Sequence, residues 1–219
     1  MTPVSPWALL PAVLSNVTGT IALALLVIAA STAAALVLVP FAMSSKWYAR
    51  IPVRVYTYIG RSLPPLTWIF AAFYGLAAAG ISVMPFTTAF IAFMIFSTAY
   101  NIEILRGSLE SVPRGQYEAA RSLGVGNVRM MTRIVFPQGL RIAIPMYMTR
   151  MAGVFKETSL ASVIGVAELT SAANRATAFQ PGAALLVFGV VGIVYCALLS
   201  VVIGAQHLLE RRFPPTFAK

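Results

Sequence analysis

The sequence predicts an all-α polytopic membrane protein, a transmembrane helical bundle with five spans in a single domain covering 1–219. Three observations lead there. Of 219 residues, 59% are hydrophobic and 10% are charged, whereas a soluble domain carries about a quarter charged residues. The apolar residues are gathered into runs of about 20, the length needed to cross a hydrocarbon core. The 16 Lys+Arg greatly outnumber the 6 Asp+Glu, and they fall between alternate runs, as basic loops that orient membrane helices do.

The first run is Ile21 to Met43, followed closely by Lys46, Arg50 and Arg54. The second, Tyr56 to Ala79, holds Pro64 and Pro65. Two prolines remove amide donors and crowd the preceding turn, so a kink or break is expected there. After the short uncharged turn Gly80 to Pro85 comes the third run, Phe86 to Leu105, and then a polar, basic stretch from Arg106 to Arg141. The fourth span, Ile142 to Ala167, carries Arg150, Lys156 and Glu157. The fifth runs from Pro181 to Leu209, ahead of Arg211 and Arg212. With the basic clusters inside, the N-terminus is external, the 106–141 loop and the C-terminal tail are cytoplasmic, and Gly80–Pro85 and Glu168–Gln180 lie outside. The first charged side chain is Lys46, so the start of the chain lacks the basic segment of a cleavable signal. The formal charge of +10 reflects this topology, and nucleic acid is not an expected partner. One cysteine, Cys196, and one histidine, His207, allow neither an internal disulfide nor a His/Cys metal site. Cys196 is expected to be buried packing and His207 to be interfacial.

The basic loop contains PRGQYEAARSLGVGNVRMMTRIVFP, Pro113 to Pro137. Pro113 suits a first helical position. A helix to Leu123 would end at Gly124 in a left-handed conformation. Asn127 would cap a second helix, and Pro137 would close it. The first of these helices offers the small residues Ala119 and Ala120 beside the acid Glu118, a surface another protein can approach closely. An amphipathic loop lying on lipid headgroups fits the same residues.

At this point the chain resembles a known family. Glu118-Ala119-Ala120, Gly124, Ile134 and Phe136-Pro137 look like the EAA loop of ATP-binding-cassette importer permeases, with Phe136 where Leu is usual. Arg106-Gly107, Pro113 to Gln116, Pro137-Gln138, Lys156 to Ile164 and Glu168-Leu169 are similar to the polar-amino-acid uptake subfamily. The resemblance covers Tyr56 to Arg212. One departure is Arg61-Ser62-Leu63-Pro64-Pro65, where the family usually has Arg-Gly-Thr-Pro-Leu. The resemblance implies a type I importer permease fold in a bacterial inner membrane. It implies that Glu118, Ala119, Ala120 and Gly124 form a coupling helix docking on an ATPase. Two ATPase subunits, a second identical or paralogous permease chain and an extracytoplasmic solute-binding protein are the implied partners, with an amino acid or close derivative as substrate. ATP and Mg would be bound by the partner ATPase and no cofactor by this chain, which has no GxxxxGK[ST] loop. A secondary carrier or channel for small zwitterionic solutes is the alternative. An integral membrane enzyme is disfavoured, since neither HExxH nor GxSxG occurs.

Ionisable groups within spans are costly and face a bundle interior or water. Arg150 and Glu157 are seven apart and share one helix face, while Lys156 points elsewhere. Lys156, Glu157, Thr158 and Ser159, opposite the Pro-broken second helix and Arg61, are the candidates for a solute path. Internal ion pairs that orient helices, with Arg61 and Glu103 reaching to the interface, are the competing reading.

Overall fold

The structure, a computed structural model, describes residues 6–214. The described residues make five helical passes. The first is α1 (Leu10–Leu14) running into α2 (Val17–Ala42). It begins well before Ile21, because the residues from Trp7 onward are also apolar enough to continue a membrane helix. The second pass is divided between α3 (Trp47–Ser62) and α4 (Pro65–Ala78). Arg50 and Arg54 therefore sit on the opening turns of α3 rather than in a loop.

The break falls where the two prolines require it. Leu63 and Pro64 are extended, with ψ of 140° and 146°, because a residue before proline is pushed out of the helical region. Pro65 then opens α4 at a position where its missing N–H costs nothing. The carbonyls freed at the end of α3 are taken by side chains. Trp68 Nε1 donates to Gly60 O at 3.3 Å, and Tyr100 OH donates to Arg61 O at 3.5 Å.

The third pass, α5 (Pro85–Glu110), is the axis of the bundle and packs against α2, α3 and α4. Its apolar face is built from small residues such as Ala89, Ala92 and Ala99, all fully buried. Gly60 of α3 meets it at Ala99. A Cβ at Gly60 would lie 2.5 Å from that of Ala99, so the two helices touch at bare backbone.

The short helix α6 (Arg114–Ser122) stands off the end of α5. It ends at Gly124, φ +70°, with Val125 N–H bonded to Ala120 O at 3.0 Å. This is the left-handed closure the sequence predicts. Other details of the loop differ. Pro113 is the residue before the helix, with Arg114 first, and Gly126 rather than Asn127 is the cap of α7 (Asn127–Met130). Pro137 does not close that helix. The chain continues through a π-helical stretch, Met131–Val135, straight into α8 (Phe136–Glu157). Proline clashes with the carbonyl four residues earlier, here Arg133. A π turn widens the backbone there, so the rod continues.

The fourth pass therefore starts before Ile142 and its α-helix stops at Glu157. Thr158–Ile164 is a 3-10 stretch ending at Gly165, φ +83°. Lys156 and Glu157 accordingly occupy the last α-helical turn and not the middle of a span. The segment after it forms α9 (Leu169–Ala178), capped by Glu168. The fifth pass is α10 (Ala184–Arg212), entered through a 3-10 turn at Pro181–Ala183. Among the described residues, three passes are long and apolar enough to cross a membrane as single helices; the second is divided and the fourth carries charge. Residues 215–219 of the basic tail lie outside the described residues.

Three apolar clusters stack along the bundle. Val13, Leu169 and Val187 anchor α9 at one end; Leu23, Ile69 and Phe93 fill the middle; Val39, Ile102, Leu109, Ala120 and Met130 knit α6 and α7 onto α2 and α5 at the basic end.

Candidate functional site

Two groups of residues stand out. The first is the loop surface at the basic end. Tyr117 OH donates to Leu109 O at 3.1 Å, and Gln138 Nε2 donates to Gln116 Oε1 at 3.4 Å, so α6 is fastened to both α5 and α8. Burial pushes the Tyr117 hydroxyl up from its ordinary value, which keeps it a protonated donor. Ala120 turns inward, 3% exposed, onto Leu109 and Val112. It does not share an outer surface with Ala119, as the sequence suggested; on a helix, neighbours diverge by about 100°. Glu118 and Ala119 do face outward. Beside them Leu123 and Val128 are 82% and 79% exposed. The loop thus presents Leu123, Val128, the acid Glu118 and the exposed arginines Arg114, Arg121, Arg129 and Arg133 outward, while its inner face is locked to the membrane helices.

The second group is a row of charges along α5. Arg106 holds Glu103 through both carboxylate oxygens, at 3.1 and 2.7 Å, and reaches Glu110 at 2.7 Å. Arg61, beside the break in the second pass, lies 3.5 Å from Glu103 on the third. Further along, Arg150 donates to both oxygens of Glu157 at 2.7 Å and to Ser97 Oγ at 2.9 Å. Tyr100 joins the two parts, its ring 5.4 Å from the Arg61 guanidinium and 5.1 Å from that of Arg150. The aligned residues Ser97, Tyr100, Glu103 and Arg106 follow the three-residue repeat that puts side chains on one helical stripe. Three arginines and three glutamates meet here, so the row is neutral as a whole.

The sequence-predicted path residues are divided. Arg61 and Glu157 belong to the charge row. Lys156 is exposed on another face, as predicted. Thr158 is fully buried with its hydroxyl on Phe155 O at 2.7 Å, and Ser159 donates to Lys156 O at 2.7 Å. Both hydroxyls are turned back onto the chain. Cys196 is exposed on α10, not buried, because that helix has few neighbours within the chain. His207 is exposed, 3.9 Å from Glu210.

Sequence reading did not assign roles to Arg150, Ser97, Tyr100 or Glu168. Glu168 is fully buried. It accepts N–H bonds from Thr170 and Ser171 and receives the Tyr195 hydroxyl at 3.2 Å, while Leu169 N–H donates to Thr20 on α2. The reciprocal Glu168–Ser171 bonds form a capping box. The signal was present as an acid with Ser three residues on, the reverse of the usual order.

Residues 27–214 match the family described as binding-protein-dependent transport system inner membrane component. The chain belongs to that family. It is a multi-pass inner-membrane permease component. The octopine transport system permease protein OccM of Rhizobium radiobacter is 33% identical over 95% of this chain and 88% of its own length. The L-cystine transport system permease protein TcyB of Bacillus subtilis is 37% identical over 75% of this chain and 70% of its own. Among solved structures, an amino acid ABC transporter crystallised with histidines superposes with a TM-score of 0.89 at 26% identity, covering 96% of this chain and 100% of that one. The MetNI methionine transporter, at 14% identity and TM-score 0.75 over 92% of this chain and 96% of that one, shares the fold. The permease is therefore of the type I importer fold.

Proposed function

We propose that this permease carries amino acids or close derivatives inward, delivered by a solute-binding protein and powered by two ATPase subunits. A second permease chain, identical or paralogous, completes the pathway. The observation that carries this reading is the loop at the basic end. Glu118, Ala119, Leu123 and Val128 form an exposed surface whose backbone is fastened by Tyr117 and Ala120 to α5, so force applied to the loop passes to the axis of the bundle. The relatives' transport of octopine and L-cystine, both amino-acid derivatives, supports the substrate class. A second chain is supported by α10, whose apolar surface is left largely uncovered within this chain. The basic end is cytoplasmic and the N-terminus external. ATP and Mg act in the ATPase, and the solute passes along the row that includes Arg61 and Glu157.

The test is Glu118→Ala in the assembled complex. Membrane insertion should be retained, while solute-stimulated ATP hydrolysis falls about tenfold, the scale of one lost charge-assisted contact. Wild-type hydrolysis and wild-type ATPase affinity in that variant would refute the coupling assignment.

A further inference from the structure

Arg150 and Glu157 are bound more closely than two charges placed at random on one helix. Both Glu157 oxygens accept from the same guanidinium at 2.7 Å. The fork-to-fork geometry is the strongest form of an ion pair. It lies over Gly153, where a Cβ would come within 3.0 Å of Arg150 Nη1 and 3.9 Å of Glu157 Oε1. The absent side chain at Gly153 is what lets the guanidinium fold back along α8. Ser97 and the rings of Phe96 and Tyr100, 5.0 and 5.1 Å away, hold it from the α5 side. Yet the seat is incomplete. Arg150 Nε is buried without a hydrogen-bond partner among the described residues, and an unmade bond of this kind weakens the hold on the side chain. The Arg150 and Glu157 side chains are 10% and 20% exposed, so the carboxylate keeps some open surface while the guanidinium is nearly covered.

We propose that Arg150 is a tethered competitor for Glu157. The guanidinium occupies the carboxylate that would otherwise bind a cationic group of the solute, so a lysine- or arginine-like side chain must displace it, while a solute with a neutral side chain need not. Arg150 is thus a specificity-determining residue, and Gly153 positions it. A purely structural pair would tie α8 to α5 without affecting which solute is held. This inference rests on the amino-acid reading above.

The experiment uses the purified permease–ATPase complex without binding protein, and equilibrium dialysis with radiolabelled arginine and radiolabelled glutamine. The measured quantity is the ratio of their dissociation constants. Arg150→Gln should shift the ratio toward arginine by about tenfold or more, since a charge-assisted bond to Glu157 becomes available. Arg150→Gln/Glu157→Gln should return it to the wild-type value. Gly153→Ala crowds only the flexible end of Arg150 and keeps every charge. It should shift the ratio the same way by about twofold to threefold, and it decides the matter if Arg150→Gln does not assemble. An unchanged ratio in the assembled variants, or a shift that persists without Glu157, overturns the proposal. Retention of neither amino acid by any form overturns the amino-acid reading itself, and this inference with it.

Discussion

Gly124 is the residue where the loop's shape depends most on a single side chain. Its φ of +70° is reached at little cost only by glycine and, less readily, by asparagine. Open space surrounds the position where a Cβ would stand, so the objection to a side chain is conformational and not steric. Gly124→Val should therefore loosen the α6–α7 turn, and Gly124→Asn should largely keep it. In the assembled complex the valine variant should lose most of its solute-stimulated ATP hydrolysis while the asparagine variant retains it. Equal activities would show that the turn does not transmit anything. The sequence made this residue legible, because a glycine after a short amphipathic run is a local signal. Arg150 was harder. Its spacing from Glu157 was visible, but its contacts with Ser97, Phe96 and Tyr100 cross from α8 to α5, 53 residues away at Ser97.

Among the elements, the divided second pass shows how a backbone fault is made safe. Pro64 and Pro65 force the break, and Trp68 and Tyr100 satisfy the freed carbonyls of Gly60 and Arg61. The approach of α3 to α5 brings these groups together, and it requires Gly60. Gly60→Ala would place a methyl 2.5 Å from Ala99 Cβ, an overpacking that costs about 1–3 kcal/mol. Thermal unfolding in detergent should show a lowered midpoint, and Ala99→Gly added to it should recover part of the loss despite glycine's own cost in a helix. If the double variant melts no higher than the single one, the close approach is not what Gly60 serves. The sequence located the break but not its partners. In the fourth pass the reverse happened. Pro137 carries a strong local stop signal, yet the π turn at Met131–Val135 let the helix continue, and nothing in residue type alone announces a π turn.

For the whole molecule, the basic residues predict a direction across the membrane. Lys46, the 106–141 loop and Arg211 with Arg212 lie at one end of the alternating passes, while Ser82 and α9 lie toward the other. Ser82 and Ser122 are both exposed, so each can report on its own side. In a Cys196→Ser background, needed because Cys196 is itself exposed, Ser82→Cys should react with an impermeant thiol reagent added outside intact cells. Ser122→Cys should react only after lysis. The opposite pattern would invert the orientation and remove the loop from the ATPase side.

By itself the sequence determined the features that follow from local chemistry. Apolar runs of span length gave the helical bundle, paired prolines gave the break, Gly124 gave the turn, and the Glu118-Ala119-Ala120 loop pointed to the family. The tertiary structure alone decided which side chains meet across helices. Arg61 met Glu103, Arg150 met Ser97, Glu168 was sealed under Tyr195, and Ala120 turned inward while Ala119 stayed out. The physical reason is that a helix fixes which residues share its own face. Which face meets which neighbour is set by packing between passes far apart in sequence, where small residues such as Gly60 and Ala99 let one backbone approach another.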